Sequence, residues 1–211
     1  MSALAFETEV NREAGGAVAG VAVATVTAND DPQGLGRVKL SFPWRDKSFT
    51  SDWARVLAPM GGKDRGAYFL PEVGDEVLVA FDRDDIRYPY VLGALWSDAD
   101  KPPEANSSKK NDIRVIKSRK GHMLRFDDAD AKGVITIQLS DGKKIEVDDD
   151  GIRITDKSNS ITIDTKGGSI SVSAQTSLSL KAPQISIEAS GTLDLKGGSS
   201  LSASAGVVRI N

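Results

Sequence analysis

Residues 169–198 read SISVSAQTSLSLKAPQISIEASGTLDLKGG. Aliphatic side chains come in pairs two positions apart: Ile170 and Val172, Leu178 and Leu180, Ile185 and Ile187, Leu193 and Leu195. Small or polar residues fill the gaps, and the stretch holds no aromatic residue. A period of two is the signature of a strand with one apolar face. The same pairing extends outward on both sides. It begins with Ile135 and Ile137, continues through Ile145 and Val147, Ile152 and Ile154, and Ile161 and Ile163, and ends with Leu201 and with Val208 and Ile210. Pair starts recur every seven to ten residues, about eight on average. Such an internal repeat of short strands points to a solenoid-like shaft.

One chain coiled at eight residues per repeat encloses almost nothing. A single-chain β-helix needs coils of roughly twenty residues to surround a packed interior, given strand rise and sheet spacing. Three intertwined chains resolve the difficulty, because each layer then brings six aliphatic side chains to a threefold axis. The core of such a prism is narrow, which explains the missing aromatics. Ser, Ala, Thr and Gly suit its tight corners. The predicted trimer-axis core is therefore the set of paired aliphatics from Ile135 to Ile210, in a needle about 50 Å long. Ile170→Asp or Ile185→Asp is expected to abolish the trimer. A low-complexity Ser/Gly tail and a single-chain β-roll are the alternatives, and the regular phase over ten repeats argues against both.

The two halves of the chain differ in chemistry. All twelve aromatics lie between Phe6 and Phe126, and seven of eight prolines lie at or before Pro103. The first half alternates as β, in GRVKLSF (36–42) and DEVLVAF (75–81), with VAVATV, WARVLAP, AYFLP and PYVLGAL as further strand candidates. NDDPQGLG (29–36) and PMGGKDRG (59–66) read as turns or loops. Five or six short strands without a helical period suggest a small closed OB-type barrel. The predicted organisation is an N-terminal extension (1–16), an OB-fold barrel (17–96), a linker with neck strands (97–132) and a triple-stranded β-helix (133–211). The fold class is all-β.

The net charge of -3 and pI near 5.3 disfavour a general nucleic-acid binder. The chain has no cysteine, which excludes disulfides and thiolate metal sites. The N-terminus lacks a basic region and carries Glu7 and Glu9, unlike a secretory signal. Synthesis in the cytoplasm without a signal peptide is expected.

GLGRVKLSFPW (34–44), WARVLAP (53–59), RGAYFLPEVGDEVLVAFD (65–82), RYPYVLGALW (87–96), DKPP (100–103) and IKSRKGHMLRFDD (116–128) resemble the VgrG and baseplate spike family. That family serves contractile phage tails, type VI secretion systems and extracellular contractile injection systems. The resemblance runs from about residue 17 to the C-terminus. It implies an OB-fold followed by an intertwined triple-stranded β-helix in a homotrimer at the tip of an injection machine. It also implies hub and inner-tube proteins at the barrel end, effector cargo, and transient contact with a target membrane. The large N-terminal hub-like region and the lysozyme-like insertion of some relatives are absent from the sequence. The His-x-His metal tip of some short spikes is not matched by AGVVRIN. A PAAR-type cap is instead expected on Val207, Val208, Arg209, Ile210 and Asn211.

Other candidate sites read as structural. The acidic runs Asp127, Asp128 and Asp130, and Asp148, Asp149 and Asp150, fall at turns; solvated turns are favoured over a cation site or paired catalytic carboxylates. His122 is the one histidine and is expected to pack in the neck. Arg114, Lys117, Arg119, Lys120 and Arg125, with Lys109 and Lys110, are expected at interchain or solvated contacts rather than on nucleic acid. No catalytic, cofactor or metal residue is assigned. The leading expectation is a non-enzymatic, membrane-piercing spike. A trimeric tail-spike enzyme acting on surface glycans and an OB-type nucleic-acid binder are the alternatives.

Overall fold

The computed structural model describes residues 18–45, 49–130 and 132–209. The extension read at 1–16, and Ile210 and Asn211 at the other end, lie outside the described residues. The chain divides into two compact units, one up to Ala105 and one from Asn106. Among the described residues no helix is long and apolar enough to cross a membrane.

The first unit contains β1 (Val21–Ala28), β2 (Lys39–Ser41), β3 (Arg55–Val56), a small hairpin of β4 (Gly61–Gly62) and β5 (Arg65–Gly66), β6 (Glu76–Phe81) and β7 (Pro89–Ala94). Five of these form one curled sheet in the order β2-β1-β6-β7-β3, with β3 parallel to β7. Its two ends meet through antiparallel bridges Val38↔Ala54 and Ser41↔Thr50. Alternation explains the interior. Ala24 and Val26, Leu40 and Phe42, Val77, Val79 and Phe81, and Val91 all point inward and are buried. The Phe42 ring sits among them, 5.8 Å from Phe49 and 5.7 Å from Phe81 between ring centroids. AYFLP (67–71) is not a strand. A strand would send the adjacent Tyr68 and Phe69 to opposite faces, yet both are exposed, while Leu70 packs on the core and Pro71 is buried.

The second unit is one seven-stranded antiparallel meander: β8 (Ile113–Lys117), β9 (Met123–Asp127), β10 (Val134–Gln138), β11 (Lys144–Asp148), β12 (Gly151–Thr155), β13 (Ser160–Asp164) and β14 (Ser169–Ser173). The strands expected to form a neck thus share one sheet with the first repeats. Its hairpins recur around aspartates. Asp141, Asp148, Asp156 and Asp164 each accept a backbone amide two or three residues on, for example Asp156 Oδ1 from Ser158 and Asn159, both at 2.7 Å. This side-chain mimic of a turn is what a short Asp-led connection supplies. Gly121, with φ of 85°, serves the β8–β9 turn.

From Ala174 to Arg209 no strand is assigned among the described residues. Gln175 donates its amide to Asn159 Oδ1 at 3.0 Å, tying the start of this segment to the β12–β13 turn.

Candidate assembly site on the C-terminal sheet

Strand register decides which side chains share a face. Across β9 to β14 one ladder runs Phe126, Ile135, Val147, Ile152, Ile163, Ile170. A second runs Leu124, Ile137, Ile145, Ile154, Ile161, Val172. On β8, Ile116 pairs with Leu124 and extends the second ladder. Directly opposed residues point to the same side, so both ladders lie on one face. Among the described residues that face stays largely open, with Ala174 and Leu178 lining a concavity with Ile154, Ile161 and Val172. Its isoleucines and valines from Ile135 to Ile163 remain 37–48% exposed. At the last strand Ile170 is 72% exposed. Neighbouring strands pair within the chain, with β8 and β14 as the edges of the sheet, while the apolar side chains are left half in water. Contiguous exposed apolar surface on this scale marks an interaction site.

The opposite face is polar and paired. Arg125, Thr136, Glu146, Arg153, Thr162 and Ser171 form its central ladder. Asp148 lies at its margin with a side chain only 2% exposed, and is bound by Arg153 and by Lys132 at 3.2 Å. Lys132 and Lys166 both meet Asp150, and Lys144 meets Glu146 at 2.8 Å. The hydrogen bond from Arg153, followed by those from Lys132 and the Asp150 amide, holds the Asp148 carboxyl well below the usual carboxylate range despite its burial. Asp148 thus belongs to an ion-pair network, whereas Asp149 is the exposed member of that run.

The other singled-out residues find local roles. Asp127 pairs with Arg125 at 3.0 Å, Asp128 with Arg114 at 2.9 Å and Asp130 with Lys110 at 3.6 Å. The acidic run is thus answered by Lys110, Arg114 and Arg125 of the basic cluster. His122 is exposed, and its Nδ1 accepts the Ser140 amide at 3.3 Å. Among the described residues no group of three or more His, Cys, Asp or Glu could hold a metal ion. Of the predicted axial residues, Ile135 to Val172 are brought together on the two ladders. Leu178, Leu180, Ile185, Ile187, Leu193, Leu195, Leu201 and Val208 are exposed and lie outside any assigned strand, with Val207 and Arg209 beside Val208. The apolar face also includes Ile116, Leu124 and Phe126, which the sequence pattern did not single out. Their period of two was the available signal, and it reads as the pair of neck strands around Gly121 rather than as part of the repeat.

A curled OB-type sheet followed by a meander with one wet apolar face defines a structural protein that works by assembly. Comparison with known families agrees. Residues 22–96 match the model of the type VI secretion system/phage-baseplate injector OB domain, and residues 114–194 that of the phage baseplate V C-terminal trimerisation domain. The chain belongs to the phage baseplate V and type VI secretion VgrG spike family. It is 34% identical over 106 residues to the type VI secretion system spike protein VgrG2a of Pseudomonas aeruginosa, covering 46% of this chain and 12% of that protein. It is 33% identical over 99 residues to VgrG3 of Vibrio cholerae, covering 42% of this chain and 9% of the relative. With VgrG1b of Pseudomonas aeruginosa it shares 26% over 140 residues, 61% of this chain and 19% of the relative. The chain thus spans a small part of the length of these relatives.

Proposed function

We propose that three copies of this chain form the spike of a contractile injection machine, a phage tail or a type VI secretion apparatus, and that the C-terminal unit is its needle. The observation that carries the reading is the pair of aliphatic ladders on one face of β8–β14. Three such faces turned toward a common axis bury what one chain leaves half exposed. The trimerisation domain matched over the same residues supports a homotrimer.

The shaft is then made in two ways. Over 113–173 consecutive strands of each chain pair with one another and supply one wall. Over 174–209 the aliphatic pairs continue in the same phase, while no in-chain strand partner is assigned among the described residues. Buried backbone amides require partners, and the other two chains can provide them by intertwining. Stiffness follows from the paired edges, and slow unfolding from the same cause. In this reading the OB unit is the shoulder that meets hub and tube proteins. The aliphatic end at Val207 and Val208 seats a PAAR-type cap with effector cargo, and the needle meets the target envelope on contraction.

Molar mass in solution, by light scattering on a sizing column, tests the assembly. A mass of three chains is expected. A monomer at micromolar concentration would overturn the reading.

A further inference from the structure

The OB unit carries two exposed apolar patches that its own fold does not use. The first is the outer face of the curled sheet. Register places Val21, Ala80 and Tyr90 in one outward row, and Val23 beside Leu78 in the next. Antiparallel sheets with a solvated face normally carry polar residues there. Here Val21 is 57% exposed, and Val23, Tyr90 and Leu92 are exposed beside it. The second patch is the loop after β3. Leu57, Met60, Tyr68 and Phe69 are all exposed, and with Leu35 they line an open concavity of about 430 Å³. One patch is the outside of a curled sheet and so convex; the other is concave.

We infer that in the assembled spike the outer sheet face of each OB unit seats in the Leu57–Phe69 cradle of the next copy, closing three OB units into a ring. This rests on the trimer reading above. Threefold assembly supplies the reason for two different patches. A contact repeated around a threefold axis is heterologous, so every copy must present one surface and its complement. The OB unit presents two, of matching character and opposite curvature. The partner is another copy because each OB unit is joined through residues 95–112 to the trimerisation domain. Units tethered in this way meet at effective concentrations on the order of millimolar. An apolar contact weak between free molecules is then well populated.

The chain contains no cysteine, so introduced thiols are the only ones present. Three full-length double variants test the contact: Val23→Cys with Tyr68→Cys, Tyr90→Cys with Phe69→Cys, and Leu92→Cys with Met60→Cys. Each is treated with a short bis-maleimide, and each single variant serves as its control. At least one double variant is expected to run as covalent dimer and trimer on a denaturing gel, while the single variants remain monomeric. Samples with the mass of three chains that give no cross-link, and whose thiols react with a bulky maleimide as fast as a free peptide thiol, would overturn the ring and leave the patches to a different protein. A mass of one chain would remove the trimer reading itself, and the ring with it.

Discussion

Ile161→Asp separates the two faces of the C-terminal sheet. Ile161 lies on the apolar ladder between Ile154 and Val172 and is 43% exposed in the single chain. Burying a whole isoleucine contributes about 1.5–3 kcal/mol, so completing its burial on assembly contributes roughly 1 kcal/mol per copy. Aspartate forfeits that and brings an ionised carboxylate into the apolar axis, at an effective cost of several kcal/mol per ion. Three copies meet there, and their like charges repel. The total is on the order of 10 kcal/mol per trimer, or about seven decades in the association constant. The adjacent Thr162→Asp is the control. Thr162 points to the polar face opposite Arg153, where a new carboxylate meets a cation. Sedimentation velocity at micromolar concentration should show monomer for Ile161→Asp and trimer for Thr162→Asp. Equal behaviour of the two variants, trimeric or monomeric, would refute the assignment of faces.

Three further outcomes follow from the structure. The Asp148 carboxyl is held below its ordinary value of 3.8, so its stabilising contribution is present above that pH and is lost as pH falls through the depressed folded value; Asp148→Asn should melt lower than the parent near neutrality, with the gap narrowing steadily as pH falls below 3.8, and a gap independent of pH would contradict the ion-pair role. Gly151 has φ of 150° and a Cβ there would lie 1.8 Å from the Ile163 carbonyl oxygen, so Gly151→Ala should break the β12–β13 pairing and cost at least about 2 kcal/mol in urea unfolding at fixed protein concentration. Leu40→Ala empties a fully buried position of the OB core and should cost about 2–5 kcal/mol there; calorimetry should show the OB transition moving while light scattering still gives three chains.

The ladders are legible in the sequence because alternation is a local property. A residue two positions from another in a strand shares its face wherever the strand goes, so the pairs from Ile135 to Val172 identify the apolar face of the sheet. The break in aromatic content likewise separates a unit with an ordinary core from one without. The turn aspartates are visible as residues but not as a device. Asp148 reads as one of three solvated carboxylates, since nothing local says that Arg153 and Lys132 converge on it from neighbouring segments.

Period two by itself determined which side chains of this protein share a side. Only the tertiary structure decided which strands are neighbours and what each side meets. It joined β8 and β9 to the repeats in one sheet, paired consecutive strands within the chain as far as Ser173, and left AYFLP outside the sheet with Tyr68 and Phe69 in the open. It also showed that Val21, Val23 and Tyr90 face outward. The same apolar residue types occupy the inner and outer faces of the OB sheet, so composition cannot distinguish them. Burial depends on partners distant in sequence, and hydrogen-bond pairing, unlike alternation, is not a property of any one strand.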